Sequence, residues 1–98
     1  MTCENSVRVS GTIHHPKGER EGQDKYGAYI LFSVRQTVLG YDGVERPSFL
    51  PVRVFGPELK KWLEAKDEGA PVCLSGKLHS SPGSGEMFIL AESLEDRQ

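Results

Sequence analysis

Residues 49–78 read FLPVRVFGPELKKWLEAKDEGAPVCLSGKL, and this stretch decides the fold. At its start, Leu50, Val52 and Val54 alternate with residues that would face the other way, which is typical of a half-buried strand. The apolar spacing then changes to three and four residues, which indicates one amphipathic helix. Over residues 72–78 the alternation returns. The stretch therefore predicts a strand, a helix and a second strand.

The predicted helix is bounded at both ends. Pro57 suits the first helical turn, because its missing N–H would have no partner there. Gly69 favours the end of the helix, and Pro71 cannot continue it. The apolar stripe of the helix consists of Leu59, Trp62 and Leu63. A lone helix between two strands of a small β-rich chain is suited to covering one open end of a barrel, so we expect Trp62 to be a core residue.

Three further strands are predicted outside this stretch, over residues 7–13, 28–36 and 86–92. A polar loop over residues 14–27 follows the first of them. The Asp42-Gly43 pair is a hairpin signal between the second and third strands. Five strands, with the helix between the third and the fourth, is the order of an OB-fold barrel. We therefore predict an all-β, five-stranded OB-fold barrel with one α-helix.

Length and composition are those of one ordered, soluble domain. A chain of 98 residues with 37% hydrophobic content is long enough for a single small core. We place the OB-fold domain at residues 5–92, with residues 1–4 and 93–98 as short terminal extensions. No apolar run approaches the roughly 20 residues of a membrane span, and no secretory signal is visible. Since Cys3 and Cys73 form no CxxC motif, we expect free thiols and a cytoplasmic location without membrane contact.

Three segments give the chain a resemblance to a known family. VRVSGTI at residues 7–13 resembles the opening strand of the bacterial single-stranded DNA-binding protein family (SSB), and FLPVRVFG at residues 49–56 resembles its third strand. GAPVCLSGKL at residues 69–78 fits the family pattern G-x-x-V-x-[IL]-x-G-x-L. The resemblance covers residues 5–92. It implies sequence-independent binding of single-stranded DNA in replication, restart, recombination or repair, with no enzymatic activity and no cofactor. RNA is a further candidate ligand.

The sequence departs from the family pattern in three places. Phe49 stands where SSBs usually carry a DNA-stacking tryptophan. The long hairpin between the fourth and fifth strands is reduced to SSPGSG at residues 80–85. Because the sequence ends in EDRQ, we expect no acidic-hydrophobic tail of the kind that recruits repair and replication partners in SSBs. The last two departures favour a short PriB-like member, and they leave binding of replication or primosome proteins open.

The resemblance also implies how a strand of DNA would be held. Aromatic rings stack on bases and cations contact phosphates, and each stacked base contributes ~1–3 kcal/mol. The candidate stacking residues are Phe49, Tyr29 and Tyr41. The candidate cations are Arg53, Arg35, Arg8, Lys25, Arg46 and Lys77. Each candidate has an ordinary alternative role. For an aromatic ring, the alternative is packing in the core or in a subunit interface, or a position in a mobile loop. For a charged side chain, the alternative is solvation at the surface.

Charge and strand edges bear on the partners. A net charge of −2 argues against a protein that grips duplex nucleic acid by bulk electrostatics. The acidic balance and the short last hairpin favour an alternative function, an OB-fold protein-interaction module with no nucleic-acid ligand. Because a small barrel leaves strand edges that are usually covered or paired, we expect a homodimer or a homotetramer.

Catalysis and metal binding have little support in the sequence. It lacks the motifs of the common hydrolases, phosphate-binding loops and dinucleotide-binding folds. His14 and His15 are adjacent, and neighbouring residues of an extended chain point to opposite sides, so they would not share a metal ion. We therefore predict no catalytic residue and no metal site.

Overall fold

A computed structural model of the chain describes residues 3–15, 21–25 and 27–96, and these residues form six strands and one helix. The strands are β1 (Val7–His14), β2 (Glu21–Asp24), β3 (Gly27–Leu39), β4 (Glu45–Val54), β5 (Pro71–Ser80) and β6 (Met87–Glu95), and the helix is α1 (Pro57–Glu64).

The strands form one closed sheet. Their order is β1-β5-β6-β4-β3-β2, and β1 also pairs with β3. β1 pairs with β5 over residues 7–12 and with β3 over residues 12–14. Gly11 permits this close approach of strands, because a Cβ at this position would collide with the carbonyl oxygen of Arg35. The predicted all-β OB-fold barrel is confirmed, with its helix between β4 and β5, which correspond to the third and fourth predicted strands.

Side chains that alternate along the strands fill the barrel. The buried core consists of Ile13, Phe32, Val34, Val52, Val54, Leu63, Val72, Leu74, Ile89, Ala91 and Leu94. Ile30 and Leu50 are partly buried against this core, so the predicted inner positions of β3 and β4 are confirmed. The intervening residues of these strands lie on the outer face of the barrel, because side chains alternate between the two faces of a strand.

Helix α1 contributes a different residue to the core than the sequence predicts. Leu63 is only 2% exposed, whereas Trp62 is partly buried at the edge of the core. The Nζ of Lys66 lies 5.0 Å from the centroid of the Trp62 ring. The expectation that Trp62 is a core residue is therefore corrected, because Trp62 packs against the core but is only partly buried, whereas Leu63 is fully buried. The predicted end of the helix is also wrong, because the helix stops at Glu64, after about two turns, and not at Gly69.

The sequence pattern does not predict β2. This short strand lies within the predicted loop over residues 14–27 and pairs antiparallel with the start of β3. Its sequence EGQD has no apolar alternation, so pairing with β3 rather than hydrophobic burial accounts for it. Residues 16–20 and 26 of the predicted loop lie outside the described residues, as do residues 1–2 and 97–98 of the predicted terminal extensions.

Strand β6 is longer than the sequence predicts. It continues to Glu95, beyond the expected end at Glu92, because Leu94 is buried opposite Leu74 of β5. The register of the two strands shifts between Ser75 and its neighbour, which is the mark of a bulge. The last polar segment of the sequence thus contributes an apolar side chain to the core.

Strands β3 and β4 stay paired beyond the barrel. The pairing runs from Gln36 opposite Ser48 to Leu39 opposite Glu45, and we call residues 36–48 the arm. Its turn contains the predicted Asp42-Gly43 pair. The exposed apolar side chains of the arm are Val38, Leu39, Tyr41 and Val44.

Among the described residues, no helix is long and apolar enough to cross a membrane.

Candidate functional site

The outer face of β1, β3 and β4 carries an exposed aromatic ring with a cation beside it. Phe49 lies on β4 directly opposite Arg35 on β3, and both residues are exposed. The ring of His14, on β1, approaches Phe49 with 4.8 Å between the ring centroids and a tilt of 55°. His14 pairs with Ser33, whose small side chain leaves room for this contact across β3. We call Phe49, His14 and Arg35 the open cluster, in which Phe49 is 45% exposed.

A carboxylate that follows the helix holds His14 in place. The Nδ1 of His14 lies 2.9 Å from Oε2 of Glu68, and the backbone N–H of His15 donates to Oε1 at 2.7 Å. The His15 N–H and then the His14 ring keep the pKa of Glu68 below its usual value. The two adjacent histidines therefore meet at one carboxylate, one through its ring and the other through its backbone.

A second group of side chains on the outer face is closed. The Cζ of Arg53 lies 3.9 Å from the ring centroid of Phe88 and 4.6 Å from that of Tyr29. His79 stacks on Phe88 with 5.7 Å between centroids, and Tyr29 lies against Gly22, where a Cβ would collide with the ring. These five residues cross β5, β6, β4, β3 and β2 in the order of the sheet, and we call them the closed row.

Hydrogen bonds occupy the edge of the Arg53 guanidinium. Nη1 donates to Oδ2 of Asp24 at 3.3 Å, and Nη2 donates to Oγ of Ser81 at 2.8 Å. The side chain of Arg53 is only 17% exposed. The structure therefore places Arg53 on the outer face, as the period of two predicts, but gives this expected phosphate ligand protein partners instead of an open position. Tyr29 is likewise covered by Arg53.

The tip of the arm holds two further predicted residues. Tyr41 is fully exposed. Arg46 makes two hydrogen bonds to the carboxylate of Asp42, at 2.7 and 3.1 Å. Arg46 and then the backbone N–H of Val44 hold the pKa of Asp42 below its usual value, and Asp42 raises the pKa of Arg46. Tyr41 is thus open to a ligand, whereas Arg46 stabilises the turn.

The remaining predicted cations do not adjoin Phe49. Arg8 is exposed on β1, opposite Ser75 of β5, and it precedes the part of β1 that meets β3. Lys77 is exposed on β5, and its Nζ lies 4.0 Å from Glu92. Lys25 is exposed in the turn between β2 and β3. Of the six predicted cations, only Arg35 is brought beside the open ring of Phe49.

Residues that the sequence analysis did not select complete both groups. His14 occupies an outward-facing position in the two-residue alternation of β1, and this signal could have placed it on the candidate face. Phe88 directly precedes the core residue Ile89 on β6, so strand alternation would predict an exposed side chain there. Phe88 is nevertheless only 8% exposed. Asp24 and Ser81 lie in segments that were predicted as loops, so no periodicity could have assigned their side chains to Arg53.

The described residues offer little for metal chemistry. Within residues 3–15, 21–25 and 27–96, no three side chains of His, Cys, Asp or Glu converge in a way that could hold a metal ion. What the outer face offers is an exposed aromatic ring, an exposed guanidinium and a histidine ring. These groups are suited to contacts with bases and phosphates.

No protein-family model matches the sequence, and no curated protein sequence matches it. Solved structures do match the fold. The small single-stranded DNA-binding protein of Streptomyces coelicolor matches with a TM-score of 0.72 and 14% identity, covering 99% of this chain and 96% of that one.

The small single-stranded DNA-binding protein of Mycoplasma pneumoniae matches with a TM-score of 0.67 and 14% identity, over 96% of this chain and 94% of that one. The dimeric N-terminal domain of PriB from Thermoanaerobacter tencongensis matches with a TM-score of 0.58 and 18% identity, over 93% of each chain. The barrel of this chain therefore has the fold of small single-stranded DNA-binding and PriB proteins over nearly its whole length.

Proposed function

We propose that the chain binds single-stranded DNA without reading its sequence and has no enzymatic activity. The observation that carries this proposal is the open cluster, where Phe49 remains 45% exposed on the outer face of the barrel with Arg35 opposite it. OB folds bind oligonucleotides on this kind of face. The likeness to small single-stranded DNA-binding proteins supports the proposal at the level of the fold.

In the proposed complex, a base stacks on Phe49, and the neighbouring phosphate meets the Arg35 guanidinium. His14 extends the aromatic surface, since its ring touches that of Phe49. In this proposal Tyr41, which is fully exposed at the tip of the arm, stacks on a base farther along the strand. Stacking and phosphate contact do not read base identity, so the proposed binding is independent of sequence. RNA is a second ligand to test, since bases and phosphates are common to both nucleic acids.

We also propose that the chain assembles as a homodimer or homotetramer. Over residues 7–11, β1 pairs with β5 on one side, and among the described residues no strand pairs with its other side. Unpaired strand edges are usually covered or paired in native proteins. The PriB domain with the same fold is a dimer. Roles in replication, restart, recombination or repair, with replication or primosome proteins as partners, belong to the same proposal.

The second candidate function is a protein-interaction module. It is favoured by the exposed apolar side chains of the arm, which include Val38 and Leu39, and by the sequence pI of about 5.9. Exposed apolar patches commonly mark sites of protein contact. A direct binding measurement distinguishes the two functions.

The test is a fluorescence-anisotropy titration with a labelled dT oligomer at low and at moderate salt. Wild-type protein is expected to bind, and Phe49→Ala is expected to lose about 1–3 kcal/mol for each base that stacks on the ring. Phe49→Leu, the matched apolar control, should lose a similar amount because it keeps bulk but not the π-face. Phe49→Trp should bind at least as well as wild type. An absence of wild-type binding at low salt would favour the interaction module.

A further inference from the structure

We infer that Arg53 is a positioning residue that joins the two segments flanking the DNA-binding face, and that it is not a phosphate ligand. The inference rests on the proposed function. Its first support is the enclosure of the guanidinium, whose Cζ lies 4.6 and 3.9 Å from the ring centroids of Tyr29 and Phe88 and whose Nη1 and Nη2 each donate a hydrogen bond, to Asp24 and Ser81. With its side chain only 17% exposed, Arg53 offers a phosphate little accessible surface.

The second support is electrostatic. The Oδ2 of Asp24 lies 3.3 Å from Nη1 of Arg53, and the side chains of both residues are largely buried, with 23% and 17% exposed. Because the carboxylate neutralises the guanidinium at this distance, the pair presents little net positive charge to a phosphate. Arg35 differs in being exposed at the surface.

The third support is what Arg53 connects. Asp24 ends β2, a four-residue strand that pairs only with β3 among the described residues. Ser81 begins the turn between β5 and β6, where its backbone N–H donates to the Glu86 carbonyl at 2.8 Å. In OB folds, the loop between the first two strands of the barrel and the loop between its last two strands lie beside the ligand. In this chain, β2 lies in the first of these segments and Ser81 lies in the second. Arg53 therefore ties β2 to the β5–β6 turn across the outer face of the barrel, on the same side of β4 as Phe49.

The role requires arginine rather than any cation. Only a planar guanidinium can lie between two rings and donate to two acceptors from its edge. A lysine keeps the charge but has neither the flat faces nor the fork. A phosphate ligand, by contrast, is replaced well by lysine, because the ammonium group binds phosphate as a point charge. The lysine variants of Arg53 and Arg35 therefore separate positioning from phosphate contact.

The experiment compares Arg53→Lys with Arg35→Lys in the full chain, by dT-oligomer titration over a range of salt concentrations. Arg53→Lys is expected to weaken binding at least about fivefold, the lower end of one base–aromatic stack, with an unchanged slope of log affinity against log salt. Arg35→Lys is expected to stay within about twofold of wild type. Wild-type affinity for Arg53→Lys, together with a reduced slope for Arg53→Ala, would overturn the inference while leaving DNA binding intact.

A second measurement does not require DNA. In hydrogen exchange, Arg53→Lys should speed exchange in β2 and in the Ser81–Glu86 turn together, while amides of β5 opposite β1 keep their protection. Ser81→Ala removes one partly buried hydrogen bond and serves as a milder variant, with faster exchange expected in the turn. Unchanged exchange in both segments would refute the positioning role even if the wild type bound no DNA. A failure of wild-type binding alone would refute only the proposed function.

Discussion

Phe49 and Arg53 lie on the same face of the same strand, yet one is open and the other is enclosed. The difference comes from the neighbours of β4. Strand β6 pairs with β4 only at Val52 and Arg53, so Arg53 has a strand on each side while Phe49 has only β3. Phe88 of β6 covers Arg53, and no described strand lies on the corresponding side of Phe49. Alternation along a strand thus identifies the outer face but not which outer residues a ligand can reach.

The comparison also separates two uses of aromatic and basic side chains. In the closed row, the rings and the guanidinium stabilise one another across five strands. In the open cluster, the same kinds of groups keep exposed surface that only a partner would cover. Substitutions in the open cluster should therefore act mainly on binding. Substitutions in the closed row should act mainly on stability, except at Arg53, where the inferred positioning role predicts a loss of binding as well.

The largest expected effect is on stability. Phe88→Ala should lower the free energy of unfolding by about 3 kcal/mol or more, as truncations of buried phenylalanines do. Phe49→Ala should change it by no more than about 1 kcal/mol, because Phe49 is already 45% exposed to solvent. Urea denaturation of the two variants measures the contrast. Equal losses for the two variants would show that Phe49 is as enclosed as Phe88.

A smaller effect is expected on the salt dependence of DNA binding. Arg35→Ala should reduce the slope of log affinity against log salt by roughly 0.7, the value for one phosphate contact on a single strand. Arg8→Ala, which removes an exposed arginine away from Phe49, is the matched control and should leave the slope unchanged. Identical slopes for wild type and Arg35→Ala would remove Arg35 from the proposed binding surface.

The smallest effect concerns pH. The contacts of Glu68 with His15 and His14 lower its folded-state pKa, so the unfolded chain binds a proton at higher pH than the folded chain does. This stabilisation is fully present above the ordinary glutamate value of about 4.3 and is lost as pH falls through the lowered folded value. Glu68→Gln should remove that part of the acid dependence. Unfolding midpoints of both proteins from neutral to acidic pH test it, and parallel curves would contradict the expectation.

The sequence predicts most of the barrel. The two-residue alternation of Val52 and Val54 identifies a strand, and Pro57 identifies the start of the helix, because these signals depend on local geometry. Gly69 does not identify the end of the helix, which stops earlier, at Glu64. The sequence does not predict β2, whose sequence EGQD forms a strand only because β3 offers it a partner. The sequence also does not show that the fully buried residue of the helix is Leu63 rather than Trp62, since both lie on the same predicted apolar stripe.

For the candidate site, the sequence by itself determined the outer face and placed Phe49, Arg35 and Arg53 on it, because side chains alternate strictly along a strand. Only the tertiary structure decided that Phe49 and Arg35 stay open while Arg53 is enclosed. That outcome depends on Asp24, Ser81 and Phe88, which are distant in sequence and meet Arg53 only when the sheet closes. Local periodicity carries no information about such contacts, because it reports the direction of a side chain and not what lies above it.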